Sequence, residues 1–115
     1  MKKVMVVDDA PVDNQNLQRI FSDAGWIVVT ASSGAEAVSK AKAEVPDLIM
    51  MDVNMPGLDG FSATRQLMQD PVTKGIPVVF VTSKDQKADR VFAQMLGAKG
   101  YVTKPYTPDQ ILSQV

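Results

Sequence analysis

The 115-residue chain has no cysteine and no histidine, and these two gaps remove several chemistries at once. Without cysteine there is no disulfide frame, no thiolate zinc site and no thiol nucleophile. Without histidine there is no imidazole general base and no imidazole metal ligand. An excess of one charge is also missing. Lys and Arg number 12 against 13 Asp and Glu, a net charge of −1, so nucleic acid and anionic membranes find no bulk attraction. The apolar runs are only a few residues long, far short of the roughly 20 that cross a bilayer. Met1, Lys2 and Lys3 are followed by just four apolar residues before Asp8, too few for a secretory signal, so the expected location is cytoplasmic. What remains for chemistry is carboxylate, lysine, hydroxyl, backbone amide and a hard cation.

Hydrophobic residues make up 45% and charged residues 22%, the composition of an ordinary folded domain of this length. Four apolar runs, Val4 to Val7, Trp26 to Val29, Leu48 to Met51 and Val78 to Val81, lack polar alternation and are rich in Val and Ile. They read as strands buried on both faces, with a weaker fifth at Tyr101 and Val102 after Gly100. Between them the apolar residues recur at helical spacing. Leu17, Ile20, Phe21 and Ala24 share one face, and Val38, Ala41 and Val45 the next; Thr64, Leu67 and Met68 line the third. Ala88, Val91, Phe92, Met95 and Leu96 line the fourth, while Ile111, Leu112 and Val115 begin a fifth. Met50, Met51, Met68 and Met95 are read as core packing.

The punctuation agrees. Pro11 suits a first helical position, and Gly25 and Gly97 suit the residue just past a helix end. Ser33 with Glu36 and Thr107 with Gln110 have capping-box spacing, Pro108 adds a start signal, and Asp59 is placed to cap the third helix. The stretch from Gln69 to Pro77 reads as a surface loop. The last helix has room for barely two turns before Val115, which reads either as a short helix or as a domain that continues. Five strand–helix repeats over residues 1–115 predict one α/β domain, a doubly wound five-stranded parallel sheet with helices on both faces.

Four strands run into groups capable of chemistry: Asp8 and Asp9, Asp52, Thr82 and Ser83, and Thr103 and Lys104. In a parallel sheet these ends share one edge, where open α/β folds bind ligands. Three carboxylates meeting there repel one another unless a cation intervenes. An oxygen-only ligand set points to Mg²⁺, with Lys104 as the second cation. Mg²⁺, an ammonium and a Thr hydroxyl around one carboxylate suit phosphoryl transfer, with the carboxylate itself as nucleophile. Each piece alone has a plainer reading, as a cap, a turn or a surface lysine; their joint placement is what carries weight.

Taken together, Val-Val-Asp8-Asp9, Asp52-Val-Asn-Met-Pro-Gly, Val-Thr82-Ser83 and Tyr101-Val-Thr-Lys104-Pro105 resemble, in type, order and spacing, the signature blocks of a CheY-like response-regulator receiver domain. The resemblance covers the whole chain. It implies the flavodoxin-like strand order 2-1-3-4-5 and a protein that is not a conventional enzyme. By it, Asp52 is the phosphoacceptor, with Lys104 and Thr82 contacting the phosphoryl group and backbone contacts from Asn54 and Ser83. Asp9, Asp52 and the Asn54 carbonyl would bind Mg²⁺ directly and Asp8 through water. Thr82 and Tyr101 would form the switch, and the Lys104–Pro105 peptide would be cis. A histidine kinase or phosphotransfer protein is the implied donor. A downstream protein is the implied partner, met through the fourth helix, fifth strand and fifth helix; nucleic acid and membrane are not partners of this domain.

A narrower likeness lies in Gly-Phe-Ser-Ala-Thr-Arg-Gln-Leu from Gly60 and Lys-Asp-Gln from Lys84, similar to the single-domain regulators of the type IV pilus twitching-motility chemotaxis system. The alternative is the receiver part of a larger regulator with a DNA-binding or cyclase output. A haloacid-dehalogenase-like phosphatase would want a second Asp at position 54, which is Asn, and a flavin phosphate would meet two carboxylates after the first strand. With little net charge and no evident apolar stripe beyond the core faces, the expected state is a monomer.

Overall fold

In the computed structural model, which describes residues 2–115, strand and helix alternate throughout. The elements are β1 (Lys3–Val7), α1 (Pro11–Asp23), β2 (Ile27–Ala31), α2 (Gly34–Glu44) and β3 (Leu48–Met51), then α3 (Gly60–Gln69), β4 (Val78–Thr82), α4 (Lys87–Met95), β5 (Gly100–Thr103) and α5 (Pro108–Leu112). Every strand pairing is parallel, in the order β2-β1-β3-β4-β5. The expected doubly wound sheet is therefore present.

Side chains of successive strand residues point to opposite faces, and both faces are covered. One carries Met5, Val7, Ile49, Met51, Val78 and Phe80 against Ala37, Ala41, Ala63, Leu67 and Ala93 of α2, α3 and α4. The other carries Val4, Val6, Leu48, Met50, Val79, Val81 and Val102 against Leu17 and Phe21 of α1 and Ile111 of α5. This explains why the β3 and β4 runs show no polar alternation: neither strand has a wet face. The second run differs. β2 is an edge strand shifted one to two residues later than its apolar run, and its first residue, Ile27, is exposed. Trp26 lies outside the strand, edge-on to Phe21 at 5.3 Å.

The caps follow the expected residues with one change. Asp59 accepts from the Ser62 N–H at 2.7 Å, and Thr107 with Gln110 forms a complete capping box. Ser33 caps α2 by accepting from the Glu36 N–H, but the Glu36 carboxylate reaches back to the Ser32 N–H, one residue earlier than a box requires. Gly25 and Gly97 follow α1 and α4 with positive φ, a conformation that costs glycine little.

Several residues placed on core faces are exposed instead. Met95 is 78% exposed and Val91 44%, and Ala24, Ala88 and Val115 also face out. Val45 caps α2 in the left-handed region with its side chain outside. The reason at α4 is geometric: it packs on the sheet through Ala93 with Phe92 and Leu96 beside it, so positions 88, 91 and 95 fall on the far side. The stretch from Gln69 to Pro77 is more than a surface loop. Ile76 and Thr73 are buried, and the Thr73 hydroxyl donates to the Leu67 carbonyl at 2.7 Å, tying the turn to the end of α3.

Candidate functional site

The site is built by ladder bonds that continue past the strand ends. Val7 lies beside Ala31 and Met51 in register. The Asp8 N–H donates to the Ala31 carbonyl and the Asp52 N–H to the Val7 carbonyl, which sets Asp8 and Asp52 side by side on the sheet edge. The Lys104 N–H donates to the Thr82 carbonyl at 2.9 Å, so the residue after β5 is aligned with the last residue of β4. Beneath Asp8, the buried Asn14 amide donates to the Asp8 and Ala31 carbonyls at 2.9 and 3.1 Å, fastening α1 to the strand ends.

Carboxylate oxygens of Asp8, Asp9 and Asp52 lie within 4.8 Å of one another; Asp8 and Asp52 are buried and Asp9 is exposed. Asp8 accepts from the Ala10 N–H at 2.9 Å and Asp52 from the Asn54 N–H at 3.4 Å. Each carboxylate keeps free lone pairs, so the donor set fits a small hard cation with oxygen ligands. The Lys104 ammonium is bonded to Asp8 at 2.8 Å, Asp13 at 3.0 Å and Asp52 at 3.3 Å.

Burial pushes the Asp8 carboxyl above its ordinary value, helped by the charge of Asp52 and opposed by Lys104 and the Ala10 N–H. Burial alone would pull Lys104 down. Its hydrogen bonds to Asp8 and Asp13 and the charge of Asp52 outweigh that and hold it above its ordinary value, so it stays an ammonium. The arrangement concentrates negative charge, one fixed cation and room for a second around the Asp52 carboxylate. That is a setting for binding a divalent ion and an anionic group together.

At the β4 end, the buried Thr82 hydroxyl accepts from the Lys84 N–H at 3.3 Å, and exposed Ser83 follows it. Tyr101 is not opposite Thr82. It pairs with Phe80, and Thr82 pairs with Thr103, so Tyr101 and Thr82 are diagonal neighbours on one face. The Tyr101 hydroxyl donates to the Lys84 carbonyl at 2.6 Å, and the Arg90 guanidinium stands 4.9 Å from its ring centre. The two hydroxyls thus meet the same residue, Thr82 at the Lys84 N–H and Tyr101 at its carbonyl. The Lys104–Pro105 peptide is cis.

Residues 4–115 match the family described as Response regulator receiver domain. The chain belongs to that family. The receiver domain is 41% identical to protein PilH of Pseudomonas aeruginosa over 115 residues, all of this chain and 95% of that protein. It is also 41% identical to the alkaline phosphatase synthesis transcriptional regulatory protein PhoP of Bacillus subtilis over 114 residues, where it spans 47% of the longer protein. The structure of the Vibrio cholerae chemotaxis protein CheY4 superimposes with a TM-score of 0.92 at 33% identity, covering 98% of this chain and 94% of that one. The fold is CheY-like, the protein is a two-component signalling domain and not a conventional enzyme, and the PilH likeness supports the pilus chemotaxis type. No helix among the described residues is long and apolar enough to cross a membrane.

The structure brings Asp8, Asp9, Asp52 and Lys104 into one cluster, with Thr82, Ser83 and Asn54 on the same edge. Three neighbours of the receiver's cluster were not singled out from sequence: Asp13, Asn14 and Tyr106. An acid in the first turn of a helix is commonplace because it suits the helix dipole, and that hid Asp13. The Tyr106 hydroxyl is buried with no hydrogen-bond partner among the described residues, and burial raises its pKa to about 12.

Proposed function

We propose that Asp52 accepts a phosphoryl group from a histidine kinase or phosphotransfer protein, and that this changes the protein-binding face formed by α4, β5 and α5. The observation that carries the reading is the Asp52 carboxylate lying within ion-pair distance of Lys104 and within 4.8 Å of the Asp8 and Asp9 oxygens. Asp9, Asp52 and the Asn54 carbonyl would hold Mg²⁺, with Asp8 assisting through water. When bound, the ion supplies neutralisation of the charge shared by the carboxylates and the phosphoryl oxygens. An Asp52 oxygen attacks phosphorus. The new bond is an acyl phosphate, and the bond to the donor breaks with its electron pair leaving on the donor. Lys104, the Thr82 hydroxyl and the Asn54 and Ser83 backbone N–H groups then contact the phosphoryl oxygens, where charge-assisted bonds are about twice as strong as neutral ones. The same groups assist transfer to Asp52 and its later hydrolysis by the domain itself.

Thr82 and Tyr101 form the switch. Because both touch Lys84, a Thr82 hydroxyl drawn toward the phosphoryl group releases the Lys84 N–H and repositions the carbonyl that holds Tyr101. The responding face carries Lys87, Arg90, Lys99 and Tyr101, and its partner is a protein, with neither nucleic acid nor membrane as a target of this domain. The pathway proposed is the type IV pilus chemotaxis pathway, acting in the cytoplasm through a monomer, which sedimentation would show as one concentration-independent monomer mass. The direct test is labelling by acetyl phosphate. Label should require Mg²⁺ and vanish in Asp52→Asn, and label persisting in Asp52→Asn would sink the assignment.

A further inference from the structure

Lys104 has three N–H donors and three carboxylates around them. The shortest bond is to Asp8 at 2.8 Å, the next to Asp13 at 3.0 Å, and the longest to Asp52 at 3.3 Å. Asp8 is held in place from its other side by the Ala10 N–H. Asp13 differs from the other two. It sits in the first turn of α1, its side chain is 39% exposed, and it is outside the Asp8, Asp9 and Asp52 cluster that fits a cation. An ammonium with all donors used can meet a new anion only by giving up one of its bonds. The bond to Asp13 holds the ammonium through a carboxylate that is not part of the acceptor cluster.

We propose that Asp13 is a positioning residue that competes with the phosphoryl group on Asp52 for the Lys104 ammonium and so weakens the site's hold on that group. The inference rests on reading Asp52 as the acceptor. When an anion adds at Asp52, Lys104 turns toward it and the bond to Asp13 lengthens or breaks. Because Asp13 is partly hydrated, water replaces Lys104 at modest cost. The residue therefore tunes how strongly and how long the domain holds a phosphoryl group while leaving the cation ligands intact.

The plain alternative is that Asp13 only complements the α1 dipole, since Ala10 provides no side-chain cap. The two are separable. With the full chain, beryllofluoride and saturating Mg²⁺, amide NMR titration reads the affinity for a phosphoryl mimic. Asp13→Ala should bind beryllofluoride about three- to fivefold more tightly than the parent, and Asp13→Asn should move the same way. The Lys104 ammonium resonance should shift in Asp13→Ala before any ligand is added. Adding Val12→Asp to Asp13→Ala restores a first-turn charge at an exposed position, and the tighter binding should persist. Unchanged or weaker binding in both single variants overturns the proposal, as does a double variant that returns to the parent affinity. If the parent binds Mg²⁺ but shows no beryllofluoride binding at Asp52, the acceptor reading fails and this inference falls with it.

Discussion

Gly60, the first residue of α3, presses on the backbone of the candidate acceptor. A Cβ placed there would lie 2.0 Å from the Asp52 carbonyl oxygen and 2.9 Å from both the Asp52 carbonyl carbon and the Val53 Cα. All three are main-chain atoms, so no side chain can swing aside. Opening that gap from 2.0 Å to ordinary contact at 3.4 Å must move α3 off the sheet or push the end of β3 away from it. The Gly60 N–H donates to the Val53 carbonyl at 2.9 Å, so the first choice also strains a hydrogen bond. Overpacking of this kind costs about 1–3 kcal/mol, against which alanine recovers roughly 1 kcal/mol of helix propensity. Gly60→Ala should therefore lose up to about 2 kcal/mol of stability by urea titration. Its acetyl phosphate labelling at Asp52 should fall further than stability alone explains, because displacing a reacting group by about 1 Å can cost on the order of a hundredfold in rate. Gly25→Ala is the control. It has positive φ but open space around it, so it should cost about 1–2 kcal/mol from backbone strain with labelling unchanged. A Gly60→Ala variant as stable and as readily labelled as the parent would refute the argument that this contact positions Asp52.

Tyr106→Phe removes a buried hydroxyl that has no partner among the described residues, so at neutral pH its stability should equal or exceed the parent's. Burial raises the phenol's pKa from 10.0 to about 12. As pH rises through that window the unfolded chain ionises first, so the parent should lose on the order of 2 kcal/mol that Tyr106→Phe keeps; parallel alkaline unfolding curves would contradict this. Thr73→Val strips a buried donor from the Leu67 carbonyl and should cost about 1–3 kcal/mol by urea titration with labelling intact. Thr82→Ala should still be labelled on Asp52 but lose most of the phosphorylation-induced gain in partner affinity; an undiminished gain would show that coupling bypasses Thr82. Leu17→Ala, in the core, should cost about 2–5 kcal/mol, whereas exposed Met95→Ala should stay within about 0.5 kcal/mol.

Strand identity was legible because β1, β3 and β4 are buried on both faces, which leaves four-residue apolar runs with no polar interruption. The same rule misjudged β2, since an edge strand can expose Ile27 and still pair through Val28 to Ala31. Helical spacing located α4 but not which stripe faces the sheet. Ala93, a small residue, makes the contact, while the larger Val91 and Met95 point outward. Apolar size was a poor guide there because a close helix–sheet approach favours the smaller side chain. Of the site, Asp8, Asp9, Asp52 and Lys104 were legible because all four follow strands that topology brings to one edge. Asp13 was not, since its reach to Lys104 spans the chain from α1 to the residue after β5, and no local pattern encodes that distance. That Thr82 and Tyr101 are diagonal neighbours, two residues apart in register, is visible only in the β4–β5 pairing.

Chemical trapping tests most directly whether Asp52 is the phosphoacceptor. After exposure of the intact chain to acetyl phosphate and Mg²⁺, borohydride reduces an acyl phosphate and converts its aspartate to homoserine, which peptide mass spectrometry locates. A single position, Asp52, should be converted, and none when Mg²⁺ is chelated. Conversion at Asp8, Asp9 or Asp13 instead, or conversion at Asp52 to the same extent without Mg²⁺, would contradict the assignment.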